Sequence, residues 1–264
     1  MDKKIYSSHF TVPMDILEFC NAEKCIKALQ VFLYLKSKGD IINEKMIDFK
    51  DIKKVIKVCT RRTFNKHIGK LIQLNWIGYN KGSKNYFIRS FKKICLGNNF
   101  VKKSGVVFDY SNFSQFKSFV EASIICHDIN KQEYACKKAF IKKMGIAALK
   151  KGGALQAENR LYLGFAAYSG KSNVGLSKLL HCGKSQANRA KINAKKNRYL
   201  NTRKHIRVLE ELDGYNRAIK SDFGNSNNIQ FRTVKINGKK ITQVYQQLHD
   251  EIIPMLRFKR IRGI

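Results

Sequence analysis

Hydrophobic residues in the first part of the chain recur at helical spacing. Residues 22–36 are apolar on most sides, which predicts a central helix that ends at Gly39. Phe49, Ile52 and Ile56 then follow at intervals of three and four, with lysines between them. This spacing predicts a second, shorter helix that buries only one face.

A third predicted helix separates apolar from polar residues. Thr60 is a suitable N-cap, and Phe64, Ile68 and Leu71 follow on one face at i, i+4 and i+7. The opposite face holds polar side chains and a glycine: Arg62, Asn65, Lys66, Gly69 and Gln73. Such a helix packs with one side and offers the other side to a groove.

A β-hairpin is predicted directly after this helix. Residues 76–80 and 85–89 are rich in aromatic and branched side chains, and residues 81–84 between them have the composition of a turn. The predicted order is therefore three helices followed by a two-stranded hairpin.

The residues of this region resemble a known family. The pattern Thr-x-Arg-Thr-Phe-x-x-x-Ile-x-x-Leu, which begins at Thr60 and precedes Asn75-Trp76-Ile77 and the hairpin, resembles bacterial winged helix-turn-helix regulators. The resemblance covers residues 22–91 and implies a winged-helix fold, with its third helix in the DNA major groove and the hairpin as the wing. A winged helix that contacts proteins instead of DNA is the alternative.

The second half of the chain repeats this plan in part. Residues 175–180 predict a short helix, residues 182–185 a turn, and residues 185–200 a second recognition helix. Its inward face would consist of small side chains: Ala187, Ala190 and Ala194. A shift of 123 residues aligns this second recognition helix with the first one. It places Lys191 at the position of the core residue Ile68, so the repeat is weak.

A second hairpin is predicted around Asn237–Gly238, a dipeptide that favours a type I′ turn between strands. The strands are predicted over residues 231–236 and 239–245. This turn fixes a register with three facing pairs: Thr233 with Thr242, Val234 with Ile241, and Lys235 with Lys240. Facing lysines repel each other. A nearby phosphate would remove that repulsion, although two lysines that splay into solvent explain it equally well.

The segment between the two regions has helical character. Phe116, Val120 and Ile124 are spaced for burial, and residues 150–153 have the composition of a domain boundary. We therefore predict a mainly α-helical protein with small β-hairpin wings, in which a helical linker joins two winged-helix-like units. The predicted ranges are 1–100 for the first unit, 101–153 for the linker or dimerisation segment, and 154–264 for the second unit. The second unit includes the second hairpin as its wing and a basic tail over residues 257–262.

The charge distribution indicates a polyanionic partner. The formal net charge is +33, and two blocks contain no acidic residue: residues 52–108 carry 14 Lys/Arg, and residues 159–209 carry 12. A solvated helical face usually mixes both signs, so blocks of one sign favour surfaces that meet nucleic acid. A hydrophobic fraction of 44% and an aromatic fraction of 11% also exclude a disordered basic tail.

Several classes of protein are disfavoured by what the sequence lacks. The longest apolar run, residues 28–35, is too short to span a membrane, and we expect no secretion signal. Seven cysteines at irregular spacing indicate reduced thiols in a cytoplasmic protein. No catalytic motif, metal site or cofactor site is recognised, and none is expected.

These observations predict a non-enzymatic protein that binds double-stranded DNA, as a sequence-specific regulator of a plasmid, phage or other mobile element. Its tandem arrangement also resembles plasmid replication initiators, so a replication initiator that binds origin repeats is one alternative. An architectural DNA- or RNA-binding protein, packaged with a phage genome and then found in the virion, is another. RNA is less favoured because Phe64 and Trp76 are expected to face inward, whereas single-strand readers stack bases on exposed aromatics.

We expect a cytoplasmic, nucleoid-associated protein with no membrane partner. A homodimer could form through residues 114–151.

Arg62 is the predicted guanine reader, because its guanidinium fits O6 and N7 of that base. The predicted DNA-binding residues are Arg61, Arg62, Asn65, Lys66, Lys70, Gln73, Lys81, Lys84, Lys184, Ser185, Asn188, Arg189, Lys195, Lys196, Lys235, Lys239 and Lys240.

Overall fold

The computed structural model describes residues 9–57, 60–144, 171–204, 206–213, 229–247 and 249–261. This part of the chain is mainly helical with small antiparallel sheets, as the sequence predicts. The chain forms two compact units. Unit 1 comprises Met1–Asp128, Leu176–Leu200 and Pro254–Ile264, and unit 2 comprises Ile129–Gly175 and Asn201–Ile253.

The elements of unit 1 alternate short strands with helices. Up to residue 115 they are β1 (His9–Pro13), α1 (Met14–Ala22), α2 (Ile26–Lys38), β2 (Ile41–Asn43), a 3-10 helix (Glu44–Met46), α3 (Phe49–Ile56), α4 (Arg61–Gln73), β3 (Ile77–Asn80), β4 (Asn85–Ile88), α5 (Phe91–Gly97), β5 (Ser104–Asp109) and a second 3-10 helix (Tyr110–Gln115). After residue 115, unit 1 includes α6 (Phe116–Met144) up to Asp128, α7 (Asn173–Leu179) from Leu176, α8 (Lys184–Lys196) and β11 (Phe258–Arg260).

The predicted central helix begins later than its apolar pattern indicates. The pattern starts at Ala22, but α1 ends there and α2 begins at Ile26. Lys24 adopts a left-handed φ of 55°, and the Cys25 amide donates to the Cys20 carbonyl at 2.9 Å. This is the hydrogen bond of a helix C-terminus, so the backbone ends one helix inside the apolar run and starts another.

The first predicted hairpin is confirmed as β3 and β4, which pair antiparallel from Ile77 with Ile88 to Asn80 with Asn85. A third strand, β2, pairs with β4 on its other side, so the sheet order is β2-β4-β3. Sequence patterns did not indicate β2, because a strand of three residues is too short to show an alternating pattern.

A second sheet of unit 1 joins three distant parts of the chain. β5 lies between β1 and β11, and it pairs antiparallel with both. A Cβ atom at Gly105 would lie 2.8 Å from side-chain carbons of both Thr11 and Ile261, so glycine permits this close packing. The basic segment near the C-terminus, which the sequence placed in a tail, therefore contributes an edge strand.

An aromatic cluster forms the core around β5. Phe108 is fully buried, and four rings surround it at centroid distances of 4.9 to 6.4 Å: Phe10, Phe113, Phe116 and Phe119. The buried Gln30 side chain of α2 donates to the Phe113 carbonyl at 2.6 Å. The core of the first region therefore extends well past residue 100.

A partly buried polar network links α1 to β5 and α6. Ser104 Oγ lies 2.8 Å from His127 Nε2, and Glu18 Oε1 lies 3.5 Å from His127 Nδ1. Lys102 forms ion pairs with Glu18 and with Asp15. Burial raises the pKa of Glu18, but hydrogen bonds from His127 and Lys102 outweigh burial and hold this pKa at about 2.

The depressed pKa of Glu18 predicts acid destabilisation in a defined pH range. A glutamate carboxyl ordinarily has a pKa of 4.5, whereas the folded protein holds the pKa of Glu18 at about 2. Its stabilising contribution is therefore complete above pH 4.5 and is lost as the pH falls towards 2. In urea unfolding at several pH values, Glu18→Gln should remove part of this acid sensitivity. The exposed Glu23→Gln is the matched control, and an equal effect of both variants would contradict the prediction.

Unit 2 contains the second predicted hairpin. β8 (Ile229–Ile236) and β9 (Lys239–Gln247) pair in the register that the sequence predicted, with Lys235 opposite Lys240. Asn237 and Gly238 have φ values of 50° and 83°, and positive values at both positions are required by a type I′ turn. β7 (Ile206–Asp213), which was not predicted, pairs with β9 and completes the order β7-β9-β8. β6 (Leu200–Arg203) and β10 (Glu251–Pro254) form a separate pair.

The compact units do not coincide with the predicted ranges 1–100, 101–153 and 154–264. β5, the start of α6 and residues 176–200 all belong to unit 1, whereas the β8–β9 hairpin belongs to unit 2. The predicted boundary at residues 150–153 lies outside the described residues.

The start of the predicted linker helix belongs to the core of unit 1. Phe116, Val120 and Ile124 are buried there. The early part of the proposed dimer segment, residues 114–151, is therefore already packed, and a dimer through this segment stays a prediction.

Candidate nucleic-acid interface

Helix α4 has the two faces that its sequence predicts. Phe64, Ile68 and Leu71 are 2%, 5% and 0% exposed and pack into unit 1. Among the other predicted contact residues of this helix, Lys70 is half-buried. The rest are exposed to solvent: Arg61, Arg62, Asn65, Lys66 and Gln73. Burial, together with Lys27 and Lys66, lowers the pKa of His67, so arginine and lysine carry the positive charge of this helix at pH 7.

Local contacts fix both the start and the inner face of α4. The Thr60 side chain accepts a hydrogen bond from the Thr63 amide at 3.1 Å, as an N-cap should. The Phe64 ring packs edge-on against Phe49 of α3, with centroids 5.3 Å apart. The fully buried Trp76 follows the helix and packs on Phe32 of α2. These contacts set which side of α4 faces solvent.

Arg61 takes part in a network that sequence reasoning did not find. Its Nη2 lies 3.9 Å from Glu44 Oε1, and its guanidinium lies 5.7 Å from the centre of the Phe49 ring. The Tyr79 hydroxyl of β3 donates to Glu44 Oε2 at 3.0 Å, and this bond raises the pKa of Tyr79. Glu44 thus links the start of α4 to the β3–β4 hairpin. Arg61 and the neighbouring Arg62 are both exposed. Nothing in the sequence around Glu44 indicated this role.

The tip of the β3–β4 hairpin carries two of the predicted contact residues, Lys81 and Lys84, and both are exposed. Asn80 shapes the turn, because its Oδ1 accepts hydrogen bonds from the amides of Gly82 and Ser83 at 2.9 and 3.2 Å. The Glu44 amide also donates to the Lys84 carbonyl at 2.9 Å. The turn therefore holds its two lysines at a defined end of the sheet.

Helix α8 also buries the face that the sequence predicted. Ala187, Ala190 and Ala194 are 0%, 3% and 0% exposed. Among the predicted contact residues of this helix, Asn188 is half-buried. The others are exposed: Lys184, Ser185, Arg189, Lys195 and Lys196. Small alanines let the helix approach its neighbours closely in unit 1.

Polar contacts attach the α7–α8 region to the rest of unit 1. The buried Asn21 side chain donates to the Leu180 carbonyl at 2.8 Å, and Lys24 Nζ donates to the His181 carbonyl at 2.7 Å. Past the other end of α8, the Asn197 side chain donates to Ser118 Oγ at 3.0 Å. The second predicted recognition helix is therefore an integral part of the unit that contains the first.

The three predicted contact lysines of the second hairpin, Lys235, Lys239 and Lys240, are exposed in unit 2. Helix α8, to which the sequence assigned this hairpin as a wing, belongs to unit 1. The structure thus brings together the predicted residues of α4, the first hairpin and α8 in one unit, and the predicted residues of the second hairpin in the other.

One cluster of described side chains has the chemistry of a catalytic site. Ser104, His127 and Glu18 are arranged like an acid–base relay, but His127 is 8% exposed and its ring stacks on Phe258. Within the described ranges, no three His, Cys, Asp or Glu side chains gather as a metal site would require. No helix in that part of the chain is long and apolar enough to cross a membrane.

Comparison with known proteins gave no match: no family model, curated protein or solved structure has significant similarity to this chain. The functional assignment therefore depends on the residues and contacts described above.

Proposed function

We propose that this protein binds double-stranded DNA through α4, which enters the major groove, and through the β3–β4 hairpin, which contacts the backbone. The observation that supports the proposal is the solvent-exposed face of α4, which holds Arg62, Asn65, Lys66 and Gln73. It lies opposite the buried face of the same helix. Arginine and amide side chains on such a face are the groups that read base edges, and lysines that contact phosphates position the protein on the duplex.

The element order supports a winged helix-turn-helix for this region. α2, β2, α3 and α4 are followed by the β3–β4 hairpin, and β2 completes the small sheet. Winged helix-turn-helix proteins use their third helix and the following hairpin in this way. The β3–β4 hairpin would be the wing, with Lys81 and Lys84 at its tip.

We further propose that α7 and α8 form a second helix-turn-helix that contacts DNA. Its contact residues would be those of α8: Lys184, Ser185, Asn188, Arg189, Lys195 and Lys196. The hairpin lysines of unit 2, Lys235, Lys239 and Lys240, would contact phosphates separately. The biological role that we propose first is sequence-specific regulation in a mobile element.

A second candidate role is replication initiation at origin repeats. One observation favours it: α4 and α8 belong to the same compact unit, so a single chain supplies two recognition helices without dimerisation. A protein that reads single-stranded RNA is less favoured, because Phe64 and Trp76 are buried and cannot stack on bases.

Selection of bound sequences from a pool of random duplexes tests the proposal. A defined motif supports sequence-specific binding, and its symmetry separates the two roles, because a palindrome favours the regulator and direct repeats favour the initiator. Competition by duplex RNA and by single-stranded DNA is the control. Equal competition by unlabelled duplex DNA, duplex RNA and single-stranded DNA would contradict recognition of duplex DNA.

Binding should also depend steeply on salt. If basic faces on both recognition helices meet DNA, roughly eight or more phosphates are neutralised, and the slope of log K against log salt should be about −7 or steeper. Fluorescence anisotropy with a labelled duplex, from low to physiological salt, measures this slope. A nearly flat dependence would contradict the two-helix interface and leave at most a small contact by α4.

A further inference from the structure

Unit 1 contains a cationic cleft that extends beyond the proposed DNA contacts. Its volume is about 740 Å³, and it lies between α8, the start of α6 and the connection between α1 and α2. The charged side chains that line it are Lys24, Lys27, Lys117, Arg189, Lys196 and Glu121. A cleft of this size is large enough for a small organic ligand, but such sites are usually lined by apolar side chains.

Glu121 is the one acid among the described residues that line the cleft, against five cations. Its carboxylate is largely buried, and burial raises its pKa. Lys117 Nζ lies 3.6 Å from Glu121 Oε1, yet Lys117 itself is 74% exposed and reaches into solvent. The cleft therefore has a strongly positive potential, which attracts and retains anions.

One wall of the cleft is a stripe of polar side chains along α8. Gln186, Arg189, Asn193 and Lys196 line it at spacings of three and four residues, so they share one side of the helix. The stripe covers ten helical steps, or about 15 Å. An array of this length suits a chain of several charged groups better than a single ion, and Lys117 supplies a cation from α6.

We propose that this cleft binds a linear chain of phosphate groups. Arginine and lysine are the side chains that bind phosphate oxygens, and the amides beside them can donate further hydrogen bonds. The identity of the ligand rests on the proposed function: one backbone strand of the bound DNA supplies the phosphates, because Arg189 and Lys196 are also among the proposed DNA contacts. A free polyphosphate or a nucleoside triphosphate has the same chemistry and is the other source.

Lys117 is the sharpest probe of the cleft, because it is not among the residues proposed above to contact DNA. In the full-length protein, Lys117→Gln should reduce the magnitude of the slope of log K against log salt for duplex binding by about 1. The double variant K117Q/K196Q should reduce it by about 2 and weaken duplex binding by about tenfold or more. The exposed pair on α5, Lys92 and Lys93, gives the charge-matched control K92Q/K93Q, which should change affinity by about twofold at most.

Glu121→Gln separates loss of positive charge from loss of the Lys117–Glu121 ion pair. Both K117Q and E121Q break that pair, but E121Q removes a negative charge and should leave phosphate binding equal or tighter. Circular dichroism of each variant confirms that it is folded. If E121Q weakens binding as much as K117Q, the ion pair has only a structural role and the proposal is overturned.

Titration with inorganic tripolyphosphate and with ATP identifies the source of the phosphates. Loss of duplex affinity in K117Q/K196Q without saturable tripolyphosphate binding supports the DNA backbone. One-to-one binding of tripolyphosphate or ATP that K117Q/K196Q abolishes and K92Q/K93Q keeps supports a free polyphosphate ligand, even if the wild type binds no duplex and the proposed function fails. If K117Q/K196Q and K92Q/K93Q behave alike with every ligand, the cleft is not a phosphate site.

Discussion

Replacing Phe108 by alanine should lower the free energy of unfolding by about 3–5 kcal/mol, the range typical of a fully buried phenylalanine. Phe108 is 0% exposed and lies at the centre of the aromatic cluster that joins β1, β5 and α6. A cavity at this position would remove contacts with several rings at once. Urea denaturation, followed by the fluorescence of Trp76, measures the loss.

Trp76 makes this experiment a test of the first domain boundary as well. It is the only tryptophan of the chain, it is fully buried, and it packs on Phe19 and Phe32. If residues 1–100 folded independently, Phe108→Ala would leave its fluorescence transition unchanged. Because the core extends past residue 100, we expect that transition to shift by the full amount.

Phe87→Ala is the matched control, since Phe87 is 41% exposed on β4. Truncation at such a position should change the free energy of unfolding by about 0.5 kcal/mol or less. A loss for Phe108→Ala as small as that expected for Phe87→Ala would show that the ring cluster does not stabilise unit 1.

Features that depend on neighbours in sequence could be predicted. The buried face of α4 follows from the spacing of Phe64, Ile68 and Leu71, and the start of the helix follows from the capping ability of Thr60. The register of the second hairpin follows from Asn237–Gly238, because a two-residue turn fixes which residues face each other. In each case the determining interactions lie within a few residues of one another.

Features that depend on distant parts of the chain could not be predicted. The pairing of β5 with β1 and β11 joins segments separated by about a hundred residues or more, and no local pattern encodes it. The alanine face of α8 was predicted, but small side chains do not indicate what they pack against. The structure places this helix in the unit of α4 rather than with the second hairpin.

The candidate site shows the same division. Which residues of α4 and α8 are exposed follows from helical periodicity, since buried and exposed residues alternate at a known spacing. The link from Glu44 to Arg61 and Tyr79 does not, because it joins a 3-10 helix, a helix and a strand. The cleft beside α8 likewise arises only when α6 and the α1–α2 connection pack against that helix.

Replacing Arg62 by alanine should weaken binding to the preferred site by about 1–3 kcal/mol and relax specificity at one base pair. Arg62 is exposed in the first turn of α4, and the neighbouring Arg61 is also exposed but lies near Glu44 and the Phe49 ring. The exposed guanidinium of Arg62 can therefore bond to O6 and N7 of a guanine. Affinity for the selected site, and for the same site with each base changed in turn, measures both effects.

Lys84→Ala is the informative comparison, because Lys84 is exposed at the tip of the β3–β4 hairpin, where it would meet phosphate rather than base. Its loss should weaken all duplexes alike and lower the steepness of the salt dependence by about 1. The ratio of specific to nonspecific affinity should thus fall for Arg62→Ala and stay constant for Lys84→Ala. If both variants reduce specific and nonspecific binding in the same proportion, α4 contacts only the backbone, and base recognition must come from another part of the protein.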